Sequence, residues 1–196
     1  NIGYTGSGPL ASECAFHKSK SQKIFEQAQI KVPQFYVLNQ KGSRGALSSK
    51  IPYPVVVKPS AAGSSVGVSI LFSESDFEKA SRHPFRYSDE LLVERYIRGR
   101  ELTVGILDDK ALPIVEVIAQ RSFYDYEAKY KDSGTLYECP AKLESEVAQR
   151  LAEAALRAHQ SLGCEVMSRA DFILSQDHNF FLLEVNHQVL VFQNNF

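Results

Sequence analysis

The chain has 196 residues, 44% of them apolar and 23% charged, with a formal net charge of −1. That length builds one domain or two small ones with a real core, and the near-neutral balance excludes the basic footprint of a nucleic-acid binder or a membrane-surface patch. No apolar run approaches the roughly 20 residues that span a bilayer, and no signal-peptide pattern is present. Cys14, Cys139 and Cys164 are odd in number and lack C-x-x-C spacing. They argue against structural zinc or a disulfide framework, and for buried packing in a reducing cytoplasm.

Tyr4–Pro9 is turn-rich, and Ser12 as an N-cap predicts one helix running to about Gln29. Ala15, Phe16, Ile24, Phe25 and Ala28 give it a loose apolar stripe, with Lys18, Lys20 and Lys23 solvated. Pro33 stops it, Phe35–Leu38 reads as a short strand, and Lys41–Lys50 as a polar connector. Pro54–Pro59 (PVVVKP) is a β-branched strand ending on Lys58. The small-residue run Ser60–Gly67 leads into a second strand, Val68–Phe72. A glycine-rich hairpin loop of this kind covers phosphates with backbone N–H groups. An ordinary long hairpin turn with a half-buried Lys58 accounts for the same letters, and the Walker pattern is absent.

Ser75–Arg82 predicts a short helix, Glu90–Tyr96 a strand, Arg98–Arg100 a turn, and Glu101–Leu107 and Ala111–Ile118 two further strands. The run Leu91-Leu92-Val93 asks for a sheet covered on at least one face. Phe123–Pro140 (FYDYEAKYKDSGTLYECP) has no period and reads as a long ordered loop, a lid or binding segment, with Lys129 and Tyr130 at its centre. Glu144–Leu162 carries a helical stripe of Val147, Leu151, Ala154, Ala155, Ala158 and Leu162, closed by Gly163. The five histidines are scattered and form no metal-ligand pair at helical spacing.

Ser168–Asn186 (SRADFILSQDHNFFLLEVN) carries the chemistry. Apolar runs Ala170–Leu174 and Phe180–Val185 flank the polar turn Ser175–Asn179, which predicts a β-hairpin. Symmetric pairing about the loop sets Asp171 opposite Glu184 and Arg169 opposite Asn186, all four on one face. Opposed carboxylates repel unless a cation lies between them, and Mg²⁺ takes oxygen ligands from one or two carboxylates plus substrate phosphates. Two carboxylates decorating the solvent side of a sheet is the plain alternative.

Taken in order, these parts resemble the ATP-grasp fold, an α+β architecture of two antiparallel subdomains enclosing ATP, and within it the D-alanine–D-alanine ligases. The matching text is YTGSG-x-LAS at Tyr4–Ser12, VVVKP at Val55–Pro59, GSSVGV at Gly63–Val68 and LVERYIRGRELTVGIL at Leu92–Leu107. It continues with FYDYEAKY at Phe123–Tyr130, SRADF at Ser168–Phe172 and LLEVN at Leu182–Asn186.

The resemblance implies that Asp171, Glu184 and Asn186 hold two Mg²⁺ ions, with Mn²⁺ able to substitute. Lys18 and Lys58 would contact the ATP phosphates, with Ser64 and Ser65 in the phosphate loop. Glu94, Arg95, Tyr96 and Ile97 would line the adenine pocket, and Glu101 would take the ribose hydroxyls. Lys129 and Tyr130 would belong to a loop closing over the site, and Arg169 would stabilise the developing oxyanion. A tyrosine at position 130 resembles the dipeptide-forming members, which favours an amine nucleophile over D-lactate.

The implied reaction joins two D-alanines through an acyl phosphate, for peptidoglycan precursors in the cytoplasm. Its partners are D-alanine and ATP, without nucleic acid or membrane, and full-length relatives are expected to be homodimers. A carboxylate–amine ligase of other specificity and a catalytically dead nucleotide-binding remnant are the competing readings. The implied division is a linker and helix at 1–20 from a preceding domain, a small central subdomain at 21–98 and a larger, truncated one at 99–196.

Two departures stand out. His17 replaces the acidic residue usual before the phosphate lysine, and after Asn186 the text HQVLVFQNNF lacks the family's proline-glycine turn and substrate-gripping serine. The first residue is Asn1 rather than Met, so a longer parent is expected. These 196 residues alone are expected to bind ATP and Mg²⁺ with little or no ligase activity.

Overall fold

In a computed structural model, residues 5–40, 51–80, 84–118 and 135–187 are described. The connector Lys41–Lys50, the centre of the expected lid with Lys129 and Tyr130, and the tail after His187 lie outside them.

The chain opens with two helices, α1 (Pro9–Phe16) and α2 (Lys18–Gln27), where the sequence predicts one. The break falls at His17, whose backbone is extended (φ −87°, ψ 95°). Its cause is non-local. The Lys18 N–H donates to the Ser60 carbonyl at 2.8 Å, and the Ser19 N–H to Ser60 Oγ at 3.2 Å. Ser60 thus satisfies two of the orphan donors of a helix start from outside the helix, and pulls the start of α2 against the small-residue loop.

Four strands form the smaller sheet: β1 (Phe35–Asn39), β2 (Val55–Pro59), β3 (Ser69–Leu71) and β4 (Glu90–Arg95), ordered β1-β4-β2-β3 and antiparallel throughout. The helix α3 (Glu74–Ala80) follows β3. Val55, Val57, Leu71, Leu91 and Val93 share one core with Ile51 and Phe77. Period-two alternation sends Lys58, Leu92 and Glu94 to the other face, yet these are buried too. The Leu91-Leu92-Val93 run is therefore explained by cover on both faces.

The larger sheet holds β5 (Gly99–Leu107), β6 (Lys110–Ala111), β7 (Val115–Ile118), β8 (Leu136–Glu138), β9 (Met167–Ser175) and β10 (Phe180–Asn186), ordered β10-β9-β5-β7-β8 with β6 on β5. The strand predicted at Ala111–Ile118 is split, because Leu112 turns its N–H to Gly105 and Pro113 offers none. β8 is a correction as well: its three residues lie inside the stretch read as loop, and they pair with β7.

Helix α4 (Ser145–Ser161) lays Val147, Leu151, Ala154, Ala155 and Ala158 on the sheet, and Gly163 ends it at φ 68°. Ala170, Phe172 and Leu174 of β9 meet that stripe, along with Leu102, Val104 and Ile106 of β5. Ala15, Phe25 and Ile30 join the same core, so α1, α2 and the segment to Val32 pack on the larger unit. No helix among the described residues is long and apolar enough to cross a membrane.

Candidate functional site

β9 and β10 form the expected hairpin, and Asp171 pairs with Glu184 and Arg169 with Asn186. Near the turn, however, Phe180 pairs with Leu174, one residue off symmetric pairing, and a β-bulge at Leu183 restores the expected register. The bulge decides the chemistry. Phe180 and Leu182 are buried in the core, so strict alternation would send Glu184 and Asn186 inward with them. One extra residue turns both outward, while Val185 takes the next core position.

On that outer face Asp171 is gripped from three sides. Arg169 Nε donates to Oδ1 at 2.9 Å and Arg169 Nη2 to Oδ2 at 2.8 Å, a bidentate fork. Thr103 Oγ1 donates to Oδ1 at 2.6 Å from the facing position on β5, and Asn186 Nδ2 to Oδ2 at 3.0 Å. Asn186 Nδ2 also reaches Glu184 Oε1 at 3.5 Å. Glu101, two residues before Thr103, shares this face and pairs with Ile173.

Lys18, the first residue of α2, enters from the opposite side. Its Nζ lies 3.3 Å from Glu184 Oε2 and donates to the carbonyl of Ala62 in the small-residue loop. A single ammonium group, 11% exposed, thus touches the acidic hairpin and the loop after β2. In that loop Ser64 (φ 54°), Ser65 (φ 58°) and Gly67 (φ 73°) are all left-handed. Gly67 admits no side chain: a Cβ there would sit 2.9 Å from Pro59 Cγ and from the Tyr87 ring.

Behind the loop, Lys58 Nζ pairs with Glu94 Oε2 at 2.8 Å, and both side chains are almost fully buried. Beyond Glu94, the Arg95 N–H goes to the Gln34 carbonyl at 2.8 Å and the Tyr96 N–H to the Pro54 carbonyl at 3.1 Å. These bonds fix the crossing from β4 to β5, the segment 94–97.

The structure therefore gathers Arg169, Asp171, Glu184, Asn186 and Lys18 into one contact network. It sets Lys58 and Glu94 in a second, with Ser64 and Ser65 on the loop between them. Among the described residues no group of three or more His, Cys, Asp and Glu side chains is arranged to hold a metal; the acidic face offers two carboxylates and an amide. Three participants escaped sequence reasoning. Thr103 was signalled by its i+2 spacing from Glu101 on one strand. Gln22, whose amide donates to Glu94 Oε1 at 3.1 Å and to the Leu183 carbonyl at 3.0 Å, was signalled by its i+4 spacing from Lys18 on one helix face. Ser60 is legible only as the start of the small-residue run, and nothing local signals its bonds to Lys18 and Ser19.

Two antiparallel α+β units, meeting where Lys18 joins a small-residue loop to an acidic hairpin, define an ATP-grasp fold. The chain belongs to the D-ala D-ala ligase C-terminus family, whose model matches residues 24–188. The D-alanine–D-alanine ligase of Citrifermentans bemidjiense is 46% identical over 185 residues, which are 94% of this chain and 60% of that protein.

Among solved structures, the D-alanine–D-alanine ligase of Bacillus anthracis superposes with a TM-score of 0.82 at 34% identity, over 95% of this chain and 61% of that one. The same enzyme complexed with ATP gives 0.78 at 32% identity, over 95% and 60%. The VanG D-Ala:D-Ser ligase of Enterococcus faecalis gives 0.83 at 26% identity, over 95% and 56%. The chain thus spans about 60% of the length of the curated relatives it matches.

Proposed function

We propose that this chain is the nucleotide-binding and ligating part of a cytoplasmic D-alanine–D-alanine ligase, which uses ATP to join two D-alanines for peptidoglycan synthesis. One observation carries the reading: Lys18 Nζ contacts Glu184 and the Ala62 carbonyl together, so cationic, acidic and small-residue elements converge at one point. The ligase relatives, one of them solved with ATP, supply the reaction class.

In this reading the loop Ser60–Gly67, with Ser64 and Ser65, covers the phosphates, and Lys18 and Lys58 neutralise them. The segment Glu94–Ile97 meets the adenine and Glu101 the ribose. Lys129 and Tyr130 belong to a closing loop, and the subdomains divide near residue 98.

The donor set fits a hard divalent cation such as Mg²⁺: Asp171 and Glu184 carboxylates and an Asn186 amide oxygen, with no sulfur or imidazole. Asn186 now turns its Nδ2 toward both carboxylates, so serving as an oxygen ligand requires its amide to turn over. A bound magnesium supplies charge neutralisation along the triphosphate.

The carboxylate of one D-alanine attacks the γ-phosphoryl group, breaking its bond to the β-phosphate oxygen and releasing ADP; the neutral amine of the second then attacks the acyl carbon, releasing phosphate and a proton as the amide bond forms. Such transfer needs positioning and electrostatics more than a covalent enzyme group. Arg169, whose Nε–Nη2 edge is taken up by the fork to Asp171, would stabilise the developing oxyanion through its fixed positive charge.

The test is calorimetric titration of the 196-residue chain with a Mg²⁺–ATP analogue, followed by D-alanine-dependent phosphate release. Release is measured on the chain alone and preceded by the residues a relative places before it. Saturable, Mg²⁺-dependent binding is expected; its absence overturns the reading, and a panel of second amino acids reads out acceptor choice.

A further inference from the structure

Gln22 lies one helical turn after Lys18 and is 0% exposed. Its Nε2 donates to Glu94 Oε1 at 3.1 Å and to the Leu183 carbonyl at 3.0 Å. The two N–H bonds of one amide therefore end on the two different sheets. Neither acceptor is incidental. Glu94 holds Lys58 through its other oxygen, and Leu183 is the bulged residue that turns Glu184 and Asn186 to the outer face.

The opposite end of the amide confirms which way it is used. Among the described residues Gln22 Oε1 is buried and finds no hydrogen-bond partner. Inverting the amide is no remedy, since it would set Oε1 against a carboxylate and a carbonyl, both acceptors. Both donors of the amide are thus spent on this junction, and its acceptor contributes nothing to it among the described residues.

We propose that Gln22 is a positioning residue that fixes the spacing between the Lys58–Glu94 pair and the Glu184–Asn186 edge of the nucleotide site. The role rests on the nucleotide reading above. It differs from that reading in needing no contact between Gln22 and nucleotide or metal, only a clamp between the elements that make those contacts. A lost clamp lets the bulge carbonyl drift, and Glu184 and Asn186 with it.

Two measurements on the 196-residue chain test this. In the nucleotide-free protein, amide hydrogen exchange at Leu183–Asn186 is expected to accelerate in Gln22→Met, which keeps the volume and removes both donors. With a saturating ATP analogue, the Mn²⁺ half-saturation concentration, read by electron paramagnetic resonance, is expected to rise about 10- to 100-fold, as for other outer partners of metal ligands. Gln22→Lys, with three N–H donors and no acceptor, is expected to restore both readouts.

Should Gln22→Met fail to fold, Gln22→Asn takes its place, since its shorter amide cannot reach both acceptors. Unchanged exchange at Leu183–Asn186, or Mn²⁺ affinity within about twofold of wild type, overturns the clamp while leaving the nucleotide reading intact. Absence of nucleotide binding by the wild-type chain overturns both.

Discussion

Glu184 stands opposite Asp171 because the ladder between β9 and β10 shifts by one residue at Leu183. Leu183 is therefore an insertion in the ladder. Deleting it leaves Leu182 opposite Phe172 and then Glu184 opposite Asp171, an unbroken ladder with every side chain on its present face. The deletion variant is expected to fold, losing about 1–3 kcal/mol because the buried Gln22 amide forfeits its bond to the bulge carbonyl. Thermal melting and cross-strand nuclear Overhauser contacts between residues 171 and 184 check this, and loss of those contacts in a folded variant would refute it.

The Lys58–Glu94 pair makes a separate prediction. With side chains 9% and 3% exposed, neither charge has much access to water. Removing one partner strands the other, at a cost of about 3–5 kcal/mol, whereas an apolar pair of similar volume is often neutral. Lys58→Met and Glu94→Leu should each destabilise strongly, and the double variant much less than their sum. Chemical denaturation of the four species closes the cycle. Additive losses would show that the pair is not coupled.

How much of this was legible beforehand depends on whether the cause was local. The acidic face was readable from period two and a turn, because Asp171 and Glu184 stand nearly symmetric about Ser175–Asn179. The bulge was not: Leu182 and Leu183 are both apolar, and only the core spacing of Phe180, Leu182 and Val185 betrays it. The break at His17 was hidden for another reason, since the carbonyl that interrupts the helix belongs to Ser60, 42 positions away from Lys18. Gln22 shares a helix face with Lys18 by its i+4 spacing, but nothing local says that elements of two sheets close over it. β8 was lost inside FYDYEAKYKDSGTLYECP because three paired residues are too few to impose a period.

The two glycines of the phosphate-loop candidate should respond oppositely to a methyl group. Gly67 is left-handed at φ 73°, and a Cβ would meet Pro59 and Tyr87 at 2.9 Å. Gly67→Ala is expected to cost about 1–3 kcal/mol. Gly63 has open space and no left-handed φ, so Gly63→Ala should be neutral or stabilise by up to about 1 kcal/mol through the unfolded chain. Melting temperatures measured side by side decide it, and equal losses would mean the loop has another conformation.

His159 is 2% exposed, with Nδ1 at 2.8 Å from Ser168 Oγ and Nε2 at 3.9 Å from Asp109 Oδ1. Burial holds its pKa below the ordinary 6.5, and Asp109 opposes the shift only in part. The folded state therefore keeps His159 neutral where the unfolded chain already takes a proton. Stability is full above about pH 7 and falls as pH drops through the unfolded value. The slope approaches about 1.4 kcal/mol per pH unit until the folded-state value is reached.

The Glu116–Arg100 pair has the opposite kind of group but the same direction. Its carboxyl is held below the ordinary 4.5 by the guanidinium, so it contributes loss only in more acid solution. Denaturation between about pH 7.5 and 5.5 thus probes the histidine above the range in which this carboxyl contributes. His159→Gln is expected to flatten the stability profile across that window. An unchanged slope would assign the acid sensitivity to another group.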